Sequence, residues 1–184
     1  IYIGLENDSV IESPTPYKNE KPVVYYGSSI TQGGCASRPG SCYQGPVSRR
    51  FNIDYINLGF AGSARAEDTI IDYIKNLDMS LFVYDYDHNA PNIEHLKATH
   101  EPFFKIIREK NPDIAIYIQS GTPIHAAKDK GLLSNNNMNL YNEKLKTFAS
   151  QNGCQFIDIA TVMKDGNGDL KDSFSSDQYV HLTD

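Results

Sequence analysis

Five short apolar runs, separated by longer stretches with helical spacing, constrain the fold of this chain more than any other feature. The runs are rich in β-branched and aromatic residues, and turn-forming or polar residues bound each of them. They predict strands at residues 22–26, 54–58, 80–84, 114–119 and 155–159. Apolar residues at helical spacing predict helices at residues 43–51, 67–77, 93–110 and 136–152.

The strands are apolar throughout, which predicts a sheet that is covered on both faces. A sheet with one wet face would show a clean alternation of apolar and polar residues. Strands that alternate with helices also favour parallel pairing. We therefore predict an α/β fold, a three-layer sandwich around a doubly wound, parallel, five-stranded sheet of the flavodoxin-like kind.

Composition and charge exclude several classes of partner. With 184 residues, of which 40% are hydrophobic and 22% charged, the chain suits one globular domain. The net charge is -6, and no basic cluster extends beyond Arg49 and Arg50, so no nucleic-acid partner is expected. No apolar run approaches the roughly 20 residues that cross a bilayer, so no membrane span is expected.

The first residues differ from the rest in composition. Residues 1–20 hold polar clusters and two prolines, Pro14 and Pro16, and we expect them to be a linker or the tail of a preceding domain. Residues 21–184 then form the single domain. Since the chain begins with Ile1 and lacks a leader pattern, the sequence leaves open whether the protein is cytoplasmic or exported.

Polar and glycine-rich segments directly follow four of the predicted strands. These segments lie at residues 27–29, 59–62, 85–89 and 120–123. Ligands of open parallel sheets bind beyond the carboxyl ends of the strands, so the functional site is expected there. Ser29 would lie at the start of a helical turn, where it is a candidate nucleophile. Taken alone, the pair Ser28 and Ser29 is better explained as a helix cap.

Four sequence blocks resemble the GDSL or SGNH hydrolases, in family order across residues 22–181. The first is GSSITQG at residues 27–33, with Ser28 where many members carry Asp; the second is NLGFAG at residues 57–62. The third is DYDHN, which ends at Asn89, and the last is DQYVHL, with Asp177 and His181. One bacterial branch, often preceded by a β-sandwich domain, is the most similar. Its members normally continue past the position of Asp184 into a final helix.

The resemblance implies a role for each matched residue. Ser29 would be the nucleophile, His181 the general base, and Asp177 the carboxylate that orients the base. The backbone N–H groups of Ser29 and Gly62 and the side chain of Asn89 would form the oxyanion hole. The family usually has two residues between the Asp and the His, whereas this chain has three, which puts the reach of Asp177 in question. A plain turn at Gly62 and an Asx turn at Asn89 are the alternatives.

The sequence predicts no cofactor and no metal. Asp85, Asp87 and Asn89 alternate as in a calcium loop, and so do Asp165, Asn167 and Asp169, but both sets lack the required Gly and the final Glu. The second set is better explained as a turn. Cys35, Cys42 and Cys154 lack the CxxC spacing of zinc and redox sites.

The resemblance implies a carboxylic ester hydrolase that works through an acyl-enzyme. A small acyl group, acetyl above all, on a carbohydrate or another small molecule is the expected substrate. A lipase or thioesterase on the same scaffold is the first alternative, and a binding module that has lost catalysis is the second. The loop at residues 121–134 is long for this architecture and is expected to shape the substrate pocket.

Overall fold

The described residues form five parallel strands in one sheet, as the sequence predicts. The structure is a computed structural model, and it describes residues 2–126 and 134–184. The strands are β1 (Val23–Gly27), β2 (Tyr55–Gly59), β3 (Leu81–Asp85), β4 (Ala115–Gln119) and β5 (Gln155–Ile157). All pairs are parallel, in the order β2-β1-β3-β4-β5. The predicted fold class is confirmed.

Each of the first three strands ends one residue later than the apolar run that predicts it. Gly27 pairs with Gly59 on one side and with Asp85 on the other, so residues that look like loop still belong to the ladder. The fifth strand, by contrast, ends at Ile157, not at residue 159. The hydroxyl of Ser120 accepts hydrogen bonds from the N–H groups of Ile159 and Ala160, and these bonds turn the chain into a helix.

Helices cover both faces of the sheet. The six described α-helices are α1 (Ser29–Gln32), α2 (Gln44–Phe51), α3 (Asp68–Ile74), α4 (Ile93–Lys110), α5 (Asn135–Gln151) and α6 (Ala160–Met163). The bounds of α4 are those that the sequence predicts, although Pro102 lies inside it. The helical turn that the sequence predicts at Ser29 is α1, whereas α6 is not predicted, because a helix of four residues is too short to show a periodic pattern. The predicted helix at residues 67–77 is too long, since α3 ends at Ile74.

Successive residues of the central strand pack against opposite helical layers. Val24 and Tyr26 of β1 belong to the large core with α3, α4 and α5. Val23 and Tyr25 belong to a second cluster on the other face, against Tyr43. Because side chains alternate along a strand, this division places two apolar cores around one sheet. The carboxyl ends of the strands remain as the open edge.

Residues 2–20 contain no helix or strand and are nearly all exposed. The N–H of Lys18 donates to the carbonyl of Asn52 over 2.8 Å and connects their end to α2. The role of residues 1–20 as a linker stays a prediction. The predicted pocket-shaping loop lies partly outside the described residues, because residues 127–133 are not among them. None of the described helices combines the length and apolarity that crossing a bilayer requires.

Candidate active site

Ser29 is the first residue of α1, directly beyond the carboxyl end of the central strand. The hydroxyl of Ser28 caps this helix by accepting a hydrogen bond from the N–H of Ile30. Ser28 is therefore buried in a structural role, while Ser29 is half-buried at the open edge. Gly27 allows this tight arrangement, since a side chain there would overlap the hydroxyl of Thr31 and the carbonyl of Asp85.

Three polar residues of the first two sequence blocks fix the position of α1. The hydroxyl of Thr31 donates to Oδ2 of Asp85 on β3, over 2.6 Å. The side-chain amide of Asn57 donates to the carbonyl of Thr31, and Oε1 of Gln32 accepts from the N–H of Ala61. The residue types of GSSITQG and NLGFAG thus connect the helix to the neighbouring strands and loop. The sequence alone does not show these contacts.

His181 lies between Ser29 and Asp177, within hydrogen-bond distance of both. Its Nε2 atom is 2.8 Å from Oγ of Ser29, and its Nδ1 atom is 2.6 Å from Oδ2 of Asp177. An ionised carboxylate can only accept, so Nδ1 carries the ring proton. Nε2 is then the acceptor for the Ser29 hydroxyl. In this tautomer the imidazole can take up a proton from the serine.

The three intervening residues do not carry Asp177 out of reach of His181. Oδ1 of Asp177 accepts from the N–H of Tyr179 over 2.8 Å and from that of His181 over 3.3 Å. Gln178 takes a left-handed conformation with φ 55°, which folds the segment back on itself. Burial disfavours the charge of Asp177, but hydrogen bonds from His181 and Tyr179 outweigh it and lower the pKa of this carboxyl.

The segment that carries Asp177 and His181 is attached to the body of the domain at several points. The N–H of His125 donates to the carbonyl of Tyr179 over 2.8 Å, and the N–H of Ser37 donates to Asp184 over 2.8 Å. Val180 is buried in a small apolar cluster with Ile30 of α1 and residues Ile124 and Met138. Packing of Val180 against Ile30 brings this segment next to Ser29.

Gly62 and Asn89, the other predicted oxyanion donors, line one cavity of about 460 Å³ together with Tyr179. Gly62 has φ +68°, a conformation that favours glycine. Oδ1 of Asn89 accepts from the N–H of Ala64 over 3.3 Å, which leaves Nδ2 as the donor end of this amide. Asn89 is thus tied to the loop of Gly62. The roles of these two residues stay predictions.

A buried group of ionisable side chains lies at the carboxyl end of β3 and just beyond it. Asp85, Asp87 and His88 are each less than a tenth exposed, and the ring of His88 is bonded to Asp87. Burial, and then the charge of Asp87, raise the pKa of Asp85 to about 7. The pKa of His88 is raised as well, because the attraction and hydrogen bond of Asp87 outweigh a large desolvation effect. The DYDHN block showed these residue types, but not that they are buried.

The two calcium-like patterns are held by protein contacts. In the first, Asp85 accepts from Thr31, while Asp87 bonds to His88. In the second, residues 165–168 form a turn in which Oδ1 of Asp165 accepts from the N–H groups of Asn167 and Asp169. The second pattern is the turn that the sequence favours.

The remaining histidines do not contact Ser29. His100 is buried in the core with its ring stacked on Tyr84, and the centroids are 4.3 Å apart. Nε2 of His95 is bonded to the carbonyl of Arg65, and Nε2 of His125 lies 2.7 Å from Asp172. All three cysteines are free thiols, of which Cys35 is exposed.

Several solved structures share this fold. A protein from Bacteroides ovatus, described as a GDSL-like lipase, superposes with a TM-score of 0.74 at 23% identity, over 97% of this chain and 52% of its own. A member of the lipolytic G-D-S-L family from Veillonella parvula gives 0.70 at 19% identity, over 88% of each chain. A two-domain esterase active on acetylated mannans gives 0.61 at 19% identity, over 89% of this chain and 45% of its own.

The present chain therefore spans about half the length of the first and third of these proteins. No curated protein matches it. The sequence model described as the GDSL-like lipase/acylhydrolase family matches residues 20–177, most of the chain. This match confirms the resemblance that the four sequence blocks predict, and the chain belongs to the GDSL-like lipase/acylhydrolase family.

Proposed function

We propose that this protein is a serine esterase that removes a small acyl group, acetyl above all, from a carbohydrate. The observation that carries the proposal is the contact of Nε2 of His181 with Oγ of Ser29 over 2.8 Å. A serine hydroxyl is a weak nucleophile until a base within hydrogen-bond distance accepts its proton. Asp177, 2.6 Å from the far side of the ring, orients that base and stabilises the imidazolium.

The reaction proceeds in two balanced halves. Oγ of Ser29 bonds to the ester carbonyl carbon while its proton moves to Nε2 of His181. The bond to the alcohol oxygen then breaks, and His181 protonates the departing alcohol. Water attacks the acyl group on Ser29, His181 takes the proton of the water, and the same proton returns to Oγ as the carboxylic acid leaves.

The oxyanion of each tetrahedral intermediate needs donors that are fixed before the reaction. We assign this role to the N–H groups of Ser29 and Gly62 and to Nδ2 of Asn89. Gln32 supports the assignment, because its bond to the N–H of Ala61 holds the loop of Gly62 against α1. Losing one such donor typically costs about 2.7 to 4 kcal/mol of transition-state stabilisation.

The carbohydrate part of the proposal rests on the lining of the cavity that Gly62 and Asn89 share. Arg65, Asn92, Tyr141 and Tyr179, whose side chains carry hydrogen-bonding groups, also line this cavity. Such groups suit a hydroxyl-rich substrate better than an alkyl chain. The related esterase active on acetylated mannans has the same fold, which is in line with this choice.

Labelling with a fluorophosphonate tests the nucleophile. The wild-type protein should react, and Ser29→Ala should not. Ser28→Ala is the matched control: it removes a helix cap worth about 1 kcal/mol but should still react. A wild-type protein that folds and stays unlabelled would instead favour a binding module without catalysis.

Substrate preference is tested on the same three proteins with p-nitrophenyl acetate, p-nitrophenyl octanoate and an acetylated oligosaccharide. We expect acetate release from the sugar and a higher kcat/KM for the acetate ester than for the octanoate. Equal turnover of the two p-nitrophenyl esters would refute the small-acyl preference. Octanoate turnover without any acetate release from the sugar would point to a lipase or thioesterase.

A further inference from the structure

Cys35 places a thiol beside the residues that we propose for catalysis. It follows Gly33 and Gly34 at the end of α1 and is exposed. The backbone at Gly34 runs so close to the catalytic residues that an added Cβ would lie 3.3 Å from Cδ2 of His181. The thiol has no part in the proposed reaction, which raises the question of what it can bind.

Ligand atoms from three side chains converge at this point. The thiol of Cys35, a carboxylate oxygen of Asp177 and a ring nitrogen of His181 all lie within 4.8 Å of one another. Within residues 2–126 and 134–184, no other three metal-binding side chains of these types form such a group. Zinc binds Cys, His and Asp at about 2.0 to 2.3 Å.

We propose that Cys35, Asp177 and His181 form an inhibitory site for Zn²⁺. The thiolate makes the site selective for a thiophilic ion over Mg²⁺ and Ca²⁺, which prefer oxygen ligands. Two of the ligands are exposed and the third is half-buried, so an ion reaches them from solvent. Water completes the coordination of the ion.

Zinc at this site is incompatible with the proposed reaction. Binding displaces the proton of the Cys35 thiol to solvent, and the metal takes one lone pair of the Asp177 carboxylate and one of His181. A metal on Nε2 occupies the lone pair that would accept the proton of Ser29, and a metal on Nδ1 requires the ring proton to move to Nε2, which then has no lone pair left. The imidazole then cannot accept the proton of Ser29 in the orientation that Asp177 otherwise imposes. The inhibitory effect rests on the proposed esterase function, whereas metal binding itself does not.

Cobalt spectroscopy tests binding independently of activity. Co²⁺ added to the protein in a buffer without thiol reductants should give a thiolate-to-cobalt charge-transfer band. Added Zn²⁺ should displace the Co²⁺ and abolish the band. The band should be absent in Cys35→Ser and retained in Cys154→Ser, which changes a buried cysteine away from this group. In competition with a chromophoric zinc chelator, Zn²⁺ should bind Cys35→Ser at least about tenfold more weakly than wild type. A band or a zinc affinity that is unchanged in Cys35→Ser would overturn the site.

Esterase assays test the consequence of binding. Zn²⁺ should inhibit the wild type and Cys154→Ser at similar concentrations, and Mg²⁺ should not inhibit either. Cys35→Ser should keep its basal activity and need at least about tenfold more Zn²⁺ for half-inhibition. Zinc that binds through Cys35 without slowing hydrolysis would refute the inhibitory role. If no variant hydrolyses any ester, the esterase proposal fails while the cobalt result still decides the metal site.

Discussion

The contact between Asp177 and His181 depends on the backbone of a single short turn. Oδ1 of Asp177 holds two N–H groups of the turn, and Oδ2 is left to face the imidazole. This chain has one more residue between Asp177 and His181 than the family pattern, and the left-handed conformation of Gln178 accommodates it. The sequence DQYVH does not predict a positive φ at Gln178. The sequence alone therefore could not decide whether Asp177 contacts His181.

Asp177→Asn should lower kcat by roughly 10²- to 10⁴-fold with little change in fold. The amide can donate to Nδ1 and thereby favour the tautomer in which Nε2 no longer accepts from Ser29. Steady-state kinetics on p-nitrophenyl acetate, with circular dichroism as a check of folding, measure the effect. Asp172→Asn is the control, because this exposed Asp also contacts a histidine, His125, but lies outside the proposed site. Equal kcat values for both variants would contradict the assignment of Asp177.

At the scale of secondary-structure elements, the position of α1 relative to β3 rests on a buried polar contact. Thr31 is fully buried, Asp85 is 4% exposed, and their bond is 2.6 Å long. The hydroxyl of Tyr43, on the α2 side, lies 3.4 Å from the same carboxylate oxygen. A buried carboxylate that loses its closest donor keeps its desolvation cost with less compensation. The hydroxyl of Thr31 therefore stabilises both the sheet edge and the helix that carries Ser29.

Thr31→Val should lower the free energy of unfolding by about 1 to 3 kcal/mol, since it removes the donor and keeps the shape. Urea unfolding one pH unit above the pKa of Asp85, which burial and Asp87 raise to about 7, measures the loss while the carboxyl is ionised. Thr31→Ser, which keeps the hydroxyl, should lose less.

A double-mutant cycle with Asp85→Asn checks that the two side chains act on each other. Thr31→Val should cost less in that background, because no ionised carboxylate remains to be compensated. Identical costs in both backgrounds would show that Thr31 contributes through packing alone.

The positions of most strands and longer helices follow from the sequence. Apolar runs and helical periodicity locate the five strands, and they give both ends of α4. The helix α6 escapes prediction because the N–H groups of Ile159 and Ala160 donate to the hydroxyl of the distant Ser120, and this contact decides where the helix begins. The four family blocks predict Ser29, His181 and Asp177 as site residues. The contacts of Thr31, Asn57 and Asp85 that support the site are visible only in the structure.

At the scale of the whole molecule, the core between the sheet and the α4–α5 layer contains an ionisable group. His100 is 6% exposed and stacks on Tyr84, and its Nε2 atom has no hydrogen-bond partner among the described residues. Burial lowers the pKa of His100 to about 4, despite the nearby charges of Asp87 and Glu101. From the sequence, the position of His100 in an amphipathic helix is compatible with either a solvated or a packed side chain, so its burial is visible only in the structure.

The protein should lose stability as the pH falls from about 6.5 to about 4, in part because of His100. In this window the unfolded chain binds a proton at this residue, with a pKa near 6.5, and the folded chain does not. The loss is roughly 3 kcal/mol at the lower end. His100→Phe, which keeps the aromatic packing on Tyr84, should remove this part of the pH dependence.

Urea unfolding near neutral pH and near pH 4.5 tests this in both proteins. For each protein, the free energy of unfolding at the lower pH is compared with that near neutral pH. This comparison removes any pH-independent cost of the substitution, and the other titrating groups are common to the wild type and the variant. A variant that loses as much stability as the wild type would show that His100 is not the group responsible.

The two hydrogen bonds of His181 differ greatly in how far apart along the chain their partners are: four residues to Asp177 and 152 to Ser29. Heat, denaturant or a distant core substitution that loosens the domain should therefore separate the imidazole from the hydroxyl while the imidazole and carboxylate remain together. A partly loosened protein would keep the contact between His181 and Asp177 but would lose the contact with the hydroxyl of Ser29. Ester hydrolysis should therefore decline before the global unfolding transition is reached.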